Sequence, residues 1–137
     1  MEKVLFTASA TATGGREGTV KSSDGIIDLN LAMPKKDAAP SATNPEQLFA
    51  AGYSACFDSA LNLVAMRKKQ KIESAVTAEV SLLSDAADGG YKIGVTLNVE
   101  VKGTDMETAK QLVEAAHHVC PYSKATRGNI EVSLNVK

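Results

Sequence analysis

The sequence predicts an α+β fold with mainly antiparallel sheet and one long, central, apolar helix. Three observations carry this. Segments that alternate apolar and polar residues are separated from segments with helical spacing, in the order strands, helix, hairpin, helix, strand. Tight turn signals, Asp24-Gly25 and Asp88-Gly89-Gly90, join neighbouring strands too closely for crossover connections. One helical segment is apolar on most of its faces, so it belongs inside the molecule.

Taken in order, Lys3–Thr13 is rich in Thr, Val, Phe and Ala and reads as a strand that Gly14-Gly15 breaks. A second run starts near Glu17. After Asp24-Gly25, Ile27, Leu29 and Leu31 alternate with Asp28 and Asn30. Met33–Thr43 carries two prolines and little periodicity and reads as a loop. Asn44-Pro45-Glu46 then supplies a cap, a proline suited to the first helical position and an acid at the positive end of the helix dipole. That helix is expected to run to about Lys71. Val76, Ala78, Val80 and Leu82 share one parity in a strand over Ala75–Ser84. Tyr91, Ile93, Val95, Leu97, Val99 and Val101 alternate without a fault and mark the strongest strand. Thr104 or Asp105 caps a second helix with Met106, Ala109, Val113 and Ala116 at helical spacing, ending near Cys120-Pro121. Ile130, Val132, Leu134 and Val136 form the last strand.

The chain has 137 residues, which predicts a single domain over residues 1–137. It carries 15 Lys and Arg against 16 Asp and Glu, and a net charge of -1 gives no basic surface for nucleic acid or an acidic membrane. No uninterrupted apolar run approaches the roughly 18 residues of a membrane span, and the N-terminus lacks a secretory signal. The expected compartment is the cytoplasm, where thiols stay reduced. The two cysteines there are either inert buried thiols or a working pair. A two-layer packing would leave part of the long apolar helix in water, so a second copy is expected to cover it in a homodimer.

Cys56 lies in the middle of that helix. A buried cysteine is often a small apolar residue. The helix N-terminus cannot activate it, because Glu46 stands ten residues earlier, about 15 Å along the axis, and the dipole acts only over the first turn. A reactive Cys56 needs a cation from elsewhere, since a free thiol titrates near roughly 8.5. Arg16, among glycines 14, 15 and 18, is either an exposed turn arginine or that cation. Glu46 is either a first-turn acid or the carboxylate that orients the Arg16 fork. Cys120 is 64 positions from Cys56, and spacing leaves open whether the two meet. His117 and His118 point about 100° apart on a helix, which disfavours a metal site, and no P-loop, GxGxxG, GxSxG or HExxH motif is present. The histidines read as surface or packing residues.

Three segments together resemble the organic hydroperoxide resistance (Ohr) branch of the Ohr/OsmC family. They are Ala12–Gly18 (ATGGREG), Ala42–Phe57 (ATNPEQLFAAGYSACF) and Cys120–Asn129 (CPYSKATRGN), in the family's order and spread over essentially the whole chain. The resemblance implies an intertwined homodimer and a thiol-dependent peroxidase acting on organic, including fatty-acid, hydroperoxides. It implies Cys56 as the peroxidatic cysteine, Cys120 as the resolving one, Arg16 as holder of the thiolate and Glu46 as the residue that orients Arg16. It implies no bound metal, haem or flavin, and recycling by a dithiol, a lipoylated protein or dihydrolipoamide. Phe49, Tyr53 and Met33 are candidates for the apolar substrate walls, with Leu48 and Phe57 closer to ordinary core. Two other readings compete. One is a broader OsmC-like peroxidase, separated by comparing cumene hydroperoxide with hydrogen peroxide. The other is a non-catalytic hydrophobe-binding redox sensor, which would consume peroxide only stoichiometrically.

Overall fold

The computed structural model describes residues 2–36 and 41–137, and the chain divides into two compact units, residues 1–48 and 49–137. The first unit is an antiparallel meander of β1 (Ala10–Thr13), β2 (Thr19–Ser22) and β3 (Asp28–Asn30). A short 3-10 turn, Gly15–Glu17, joins β1 to β2, with Gly14 and Gly15 at φ 82° and 62°. At Gly18 a side chain is excluded outright, because a Cβ would lie 1.7 Å from the Thr13 carbonyl oxygen. Asp24 closes the β2–β3 turn by accepting from the Ser22 hydroxyl at 2.6 Å and the Ile26 N–H at 3.0 Å. The first strand is shorter than its sequence suggests: β1 pairs with β2 over Ala10–Thr13, one further bond joins the Ser23 N–H to the Ser9 carbonyl at 3.0 Å, and the chain then enters the Asp24 turn, so among the described residues, residues 3–8 belong to no strand. The loop expected over Met33–Thr43 is met at both ends, where Leu31 and Thr43 form a parallel bridge; its residues 37–40 lie outside the described residues.

Helix α1 spans Pro45–Arg67. Its start is the expected one: the Asn44 side chain accepts from the Gln47 N–H at 2.8 Å, ahead of Pro45. Its end comes four residues before the expected Lys71. Lys69 adopts a left-handed φ of 56° and the Gln70 N–H bonds the Ala65 carbonyl at 2.9 Å, a six-to-one closure made without glycine. By length and mean hydropathy, 1.2 over its best 18-residue window, α1 meets the requirement for a membrane span. That test averages over polar positions such as Asp58 and Asn62, so it is met although the sequence holds no uninterrupted apolar run of that length. In the second unit Tyr53, Phe57, Ala60, Leu61, Val64 and Ala65 of this helix are instead buried in the core.

That core rests on a three-stranded sheet. β4 (Glu73–Ser84) and β5 (Tyr91–Lys102) form a long hairpin paired from Glu73↔Lys102 to Ser84↔Tyr91. Val95, Leu97, Val99 and Val101 of β5 are buried, matching the alternation in the sequence. β6 (Val132–Val136) pairs with β5 in parallel, the one parallel pair among the strands described in a mainly antiparallel arrangement. Parallel pairing requires a crossover, and helices α2 (Met106–Val119) and α3 (Pro121–Thr126) provide it. Asp105 caps α2 by accepting from the Thr108 N–H at 2.7 Å. Leu112, Val113 and Ala116 carry its buried face. α3 was not expected: Pro121 ends α2 but also occupies the first turn of a new helix, with Cys120 as its cap.

Candidate functional site

In the second unit the two cysteines come together. Cys56, on α1, is half-buried, and Cys120, between α2 and α3, is fully buried. Both are free thiols, and their sulfurs are 3.6 Å apart with the Cys120 S–H directed at Cys56. The Cys120 sulfur also accepts the Ser123 backbone N–H at 3.5 Å, which is how a cysteine serves as helix cap. Burial pushes the Cys56 thiol above its ordinary value; the Tyr122 backbone N–H pulls it down, and the neighbouring Cys120 pushes it up again. These contacts bring two sulfurs within reach of a disulfide, but they do not by themselves hold a thiolate at neutral pH.

In the first unit Arg16 and Glu46 form a two-pronged ion pair. Arg16 Nη1 donates to Glu46 Oε2 at 3.0 Å and Nη2 donates to Oε1 at 2.6 Å. The hydrogen bonds from Arg16 hold the Glu46 carboxyl below the usual carboxylate range against the opposing effect of burial. The Glu46 partner likewise raises Arg16. The Arg16 side chain is 41% exposed, so solvent screening leaves the pair little to add to folding stability. What the fork fixes is the direction of the guanidinium, from a glycine-flanked turn to the first turn of α1.

Of the residues expected to line a substrate site, Phe49 and Tyr53 lie in the second unit with Tyr122, which the sequence reading did not single out. The rings of these three stand 5.7–6.1 Å apart, tilted or edge-on. Tyr122 lies directly over Gly52: a Cβ there would fall 2.6 Å from its hydroxyl. An apolar hollow of about 470 Å³ opens beside them, lined by Phe49, Ile93, Pro121, Tyr122, Ala125 and Ile130. Tyr53 itself is fully buried and its hydroxyl is hydrogen-bonded, so it supports this wall from within. Met33 belongs to the first unit, 45% exposed, with its backbone N–H on Glu17.

His118 is exposed and His117 is half-buried beside Phe57, as expected of surface and packing residues, but His117 also makes a hydrogen bond. Its Nδ1 is 2.8 Å from the Ser123 hydroxyl. Burial, then Arg127, then His118 keep its pKa below 6.5, with Glu114 opposing. An imidazole that resists protonation when folded but binds a proton when unfolded makes acid destabilising. Stability is therefore expected to fall as pH drops below about 6.5, and to stop falling from this source below the folded pKa. The carboxylates with lowered values, Asp24, Glu46 and Asp105, act in the same direction but only in stronger acid. Urea midpoints at mildly acidic and neutral pH should differ more for the native protein than for His117→Asn; equal differences would remove the assignment. Among the described residues no group of three or more His, Cys, Asp or Glu side chains is placed to hold a metal ion.

Residues 36–135 match the family profile described as OsmC-like protein. The chain is 58% identical over 139 aligned positions to the organic hydroperoxide resistance protein OhrA of Bacillus subtilis, covering 99% of each chain. It is 50% identical to the organic hydroperoxide resistance protein of Xanthomonas axonopodis pv. citri, with 98% of this chain and 96% of that protein covered. Its fold superposes with a TM-score of 0.93 on the crystal structure of the organic hydroperoxide resistance protein OhrB of Bacillus subtilis, at 55% identity, covering 98% of this chain and all of the other. With likeness of this degree over nearly its full length, the chain belongs to the OsmC-like family, in the organic hydroperoxide resistance group.

Proposed function

We propose that the protein is a thiol peroxidase that reduces organic hydroperoxides to alcohols, with Cys56 as nucleophile and Cys120 as its disulfide partner. The observation that carries this is the 3.6 Å approach of a half-buried thiol to a fully buried one. The names of the relatives at 50–58% identity point to the same substrates. The Cys56 thiolate attacks the terminal oxygen of ROOH; the S–O bond forms, the O–O bond breaks, and the alkoxide leaves and takes a proton. Cys56 is then a sulfenic acid. Cys120 attacks its sulfur: the S–S bond forms, the S–O bond breaks, and hydroxide leaves with the Cys120 proton as water. An external dithiol, a lipoyl group by the family resemblance, returns both cysteines to thiols by exchange. The protein itself needs no bound cofactor for these steps.

Burial and Cys120 both oppose ionisation of Cys56, so a cation must offset them, and by resemblance to the family Arg16, aimed by Glu46, takes that role. The hollow at Phe49 and Tyr122 suits an alkyl chain over hydrogen peroxide, at about 0.8 kcal/mol per buried CH₂. A dithiol pair that is reduced after each turnover works in a reducing compartment, which supports a cytoplasmic location. Val4, Leu5 and Phe6 stand 80%, 81% and 84% exposed, and Met66 of α1 67%, which supports a homodimer in which a second copy covers these surfaces.

The test is a thiol count. One equivalent of cumene hydroperoxide should remove both thiols of each chain, and dihydrolipoamide should restore them; loss of fewer than two, or no recovery, would sink the reading. Cys120→Ser should reduce one hydroperoxide and stop at the Cys56 sulfenic acid; with excess cumene hydroperoxide a second equivalent should oxidise it to the sulfinic acid, seen as a mass gain of two oxygens.

A further inference from the structure

Four polar side chains of the second unit form a line behind the cysteines. His117 Nδ1 lies 2.8 Å from Ser123 Oγ, which lies 2.8 Å from the Tyr53 hydroxyl. The Tyr53 hydroxyl is 3.2 Å from Thr126 Oγ1, and Thr126 Oγ1 donates to the Ser123 carbonyl at 3.1 Å. Tyr53, Ser123 and Thr126 are buried. Each hydroxyl owns a single proton, and a carbonyl can only accept. Thr126 spends its proton on the carbonyl, so Tyr53 must donate to Thr126, and Ser123 must donate to Tyr53. Ser123 then has none left for the imidazole. All four contacts are made at once only if His117 carries a hydrogen on Nδ1 and donates it to Ser123. Any other assignment leaves a buried contact without a proton, which is costly.

We propose that His117 is a positioning residue for disulfide formation: as an Nδ1–H donor it sets the direction of this chain and, through Ser123, the place of the Cys120 sulfur. Ser123 is tied at its side chain by His117 and Tyr53, at its carbonyl by Thr126 and the Arg127 N–H, and its own N–H holds the Cys120 sulfur. Loosening Ser123 frees that sulfur from its 3.6 Å approach to Cys56. The role rests on the reading of Cys56 and Cys120 given above. The step it assists is the balanced one already written, in which the Cys120 proton leaves with the sulfenic hydroxyl as water. The charged and titratable groups around the imidazole are Glu114 and His118 on its own helix and Arg127 at the end of α3, whose Nη2 donates to the His117 carbonyl at 2.7 Å. Burial keeps the ring neutral, and a proton gained in acid would enter at Nε2, leaving the Nδ1–H donor in place.

Nitrogen-15 NMR of the reduced full-length protein reads the tautomer without any peroxide. The expected result is a neutral His117 with hydrogen on Nδ1 and a bare Nε2; a neutral ring with hydrogen on Nε2 overturns the proposal. Single-turnover mixing with one equivalent of cumene hydroperoxide reads the role. His117→Phe should leave the loss of the Cys56 thiol within about two-fold, yet slow disulfide formation roughly ten-fold, the scale of one lost buried hydrogen bond. His117→Asn, whose amide N–H can replace the Nδ1 donor, should recover most of that rate. Equal disulfide rates in the native protein and His117→Phe overturn the role while leaving the peroxidase reading intact. Absence of any thiol loss in the native protein overturns both.

Discussion

Cys56→Ser is expected to lower turnover of organic hydroperoxide at least about a thousand-fold, on the scale of removing the nucleophile from an enzyme that works through a covalent intermediate. A serine hydroxyl is hardly ionised at neutral pH and cannot take up the peroxide oxygen as a sulfenic acid does. The substitution is nearly isosteric at a half-buried position, and the Tyr122 N–H and the Cys120 thiol remain as hydrogen-bond partners for the hydroxyl, so the fold should persist. That separates lost chemistry from lost structure. The measurement is steady-state consumption of cumene hydroperoxide with dihydrolipoamide in excess, beside a urea unfolding curve. A folded Cys56→Ser protein that keeps a tenth of the native rate would remove Cys56 from the reaction.

The fold was legible wherever a periodic pattern met a standard cap or turn. β5 could be read residue by residue, because one of its faces is buried from Val95 to Val101. The Asn44-Pro45 start of α1 and the Asp105 start of α2 follow from side chains whose capping chemistry is specific. What could not be read had no such signal. The end of α1 uses a lysine in a left-handed conformation where glycine is usual. α3 is capped by a cysteine, whose weakly accepting sulfur is not a recognised helix start. The parallel placement of β6 depends on where two helices set the chain down, not on its own alternation. The site shows the same division. Cys56, Cys120, Arg16 and Glu46 stood out through segments that resemble a family, whereas composition and spacing left each of them ambiguous. The hydrogen bond of His117 was missed because its partner Ser123, and Tyr53 beyond Ser123, are 6 and 64 positions away and come together only in the folded chain.

Arg16→Ala is expected to slow peroxide reduction at neutral pH by roughly 100- to 1000-fold, the usual scale for removing one preorganised charge from a reaction that develops anionic oxygen. The sign with pH follows from the thiol. Burial and Cys120 place the intrinsic Cys56 value above the ordinary one. If the guanidinium offsets this, its removal shifts the rising limb of alkylation against pH to higher pH. An alkylation curve unmoved by Arg16→Ala would rule out the role. Arg16→Lys keeps the positive charge but cannot make both contacts to Glu46, at 3.0 and 2.6 Å, so it too should lose most activity; full activity would show that charge alone suffices and orientation does not matter. Glu46→Gln tests the other half of the fork. It leaves one acceptor oxygen and no charge, so Arg16 is held less firmly and the loss should be intermediate between native and Arg16→Ala. Acid gives an independent check, because the Glu46 carboxyl is held below its ordinary value by Arg16. The fork is complete at neutral pH and is lost only as pH falls through that depressed value. In the native protein the decline of activity between neutral and mildly acidic pH must therefore track the Cys56 thiol, and Glu46→Gln, which holds Arg16 less firmly, should move that decline part of the way toward the higher pH expected for Arg16→Ala.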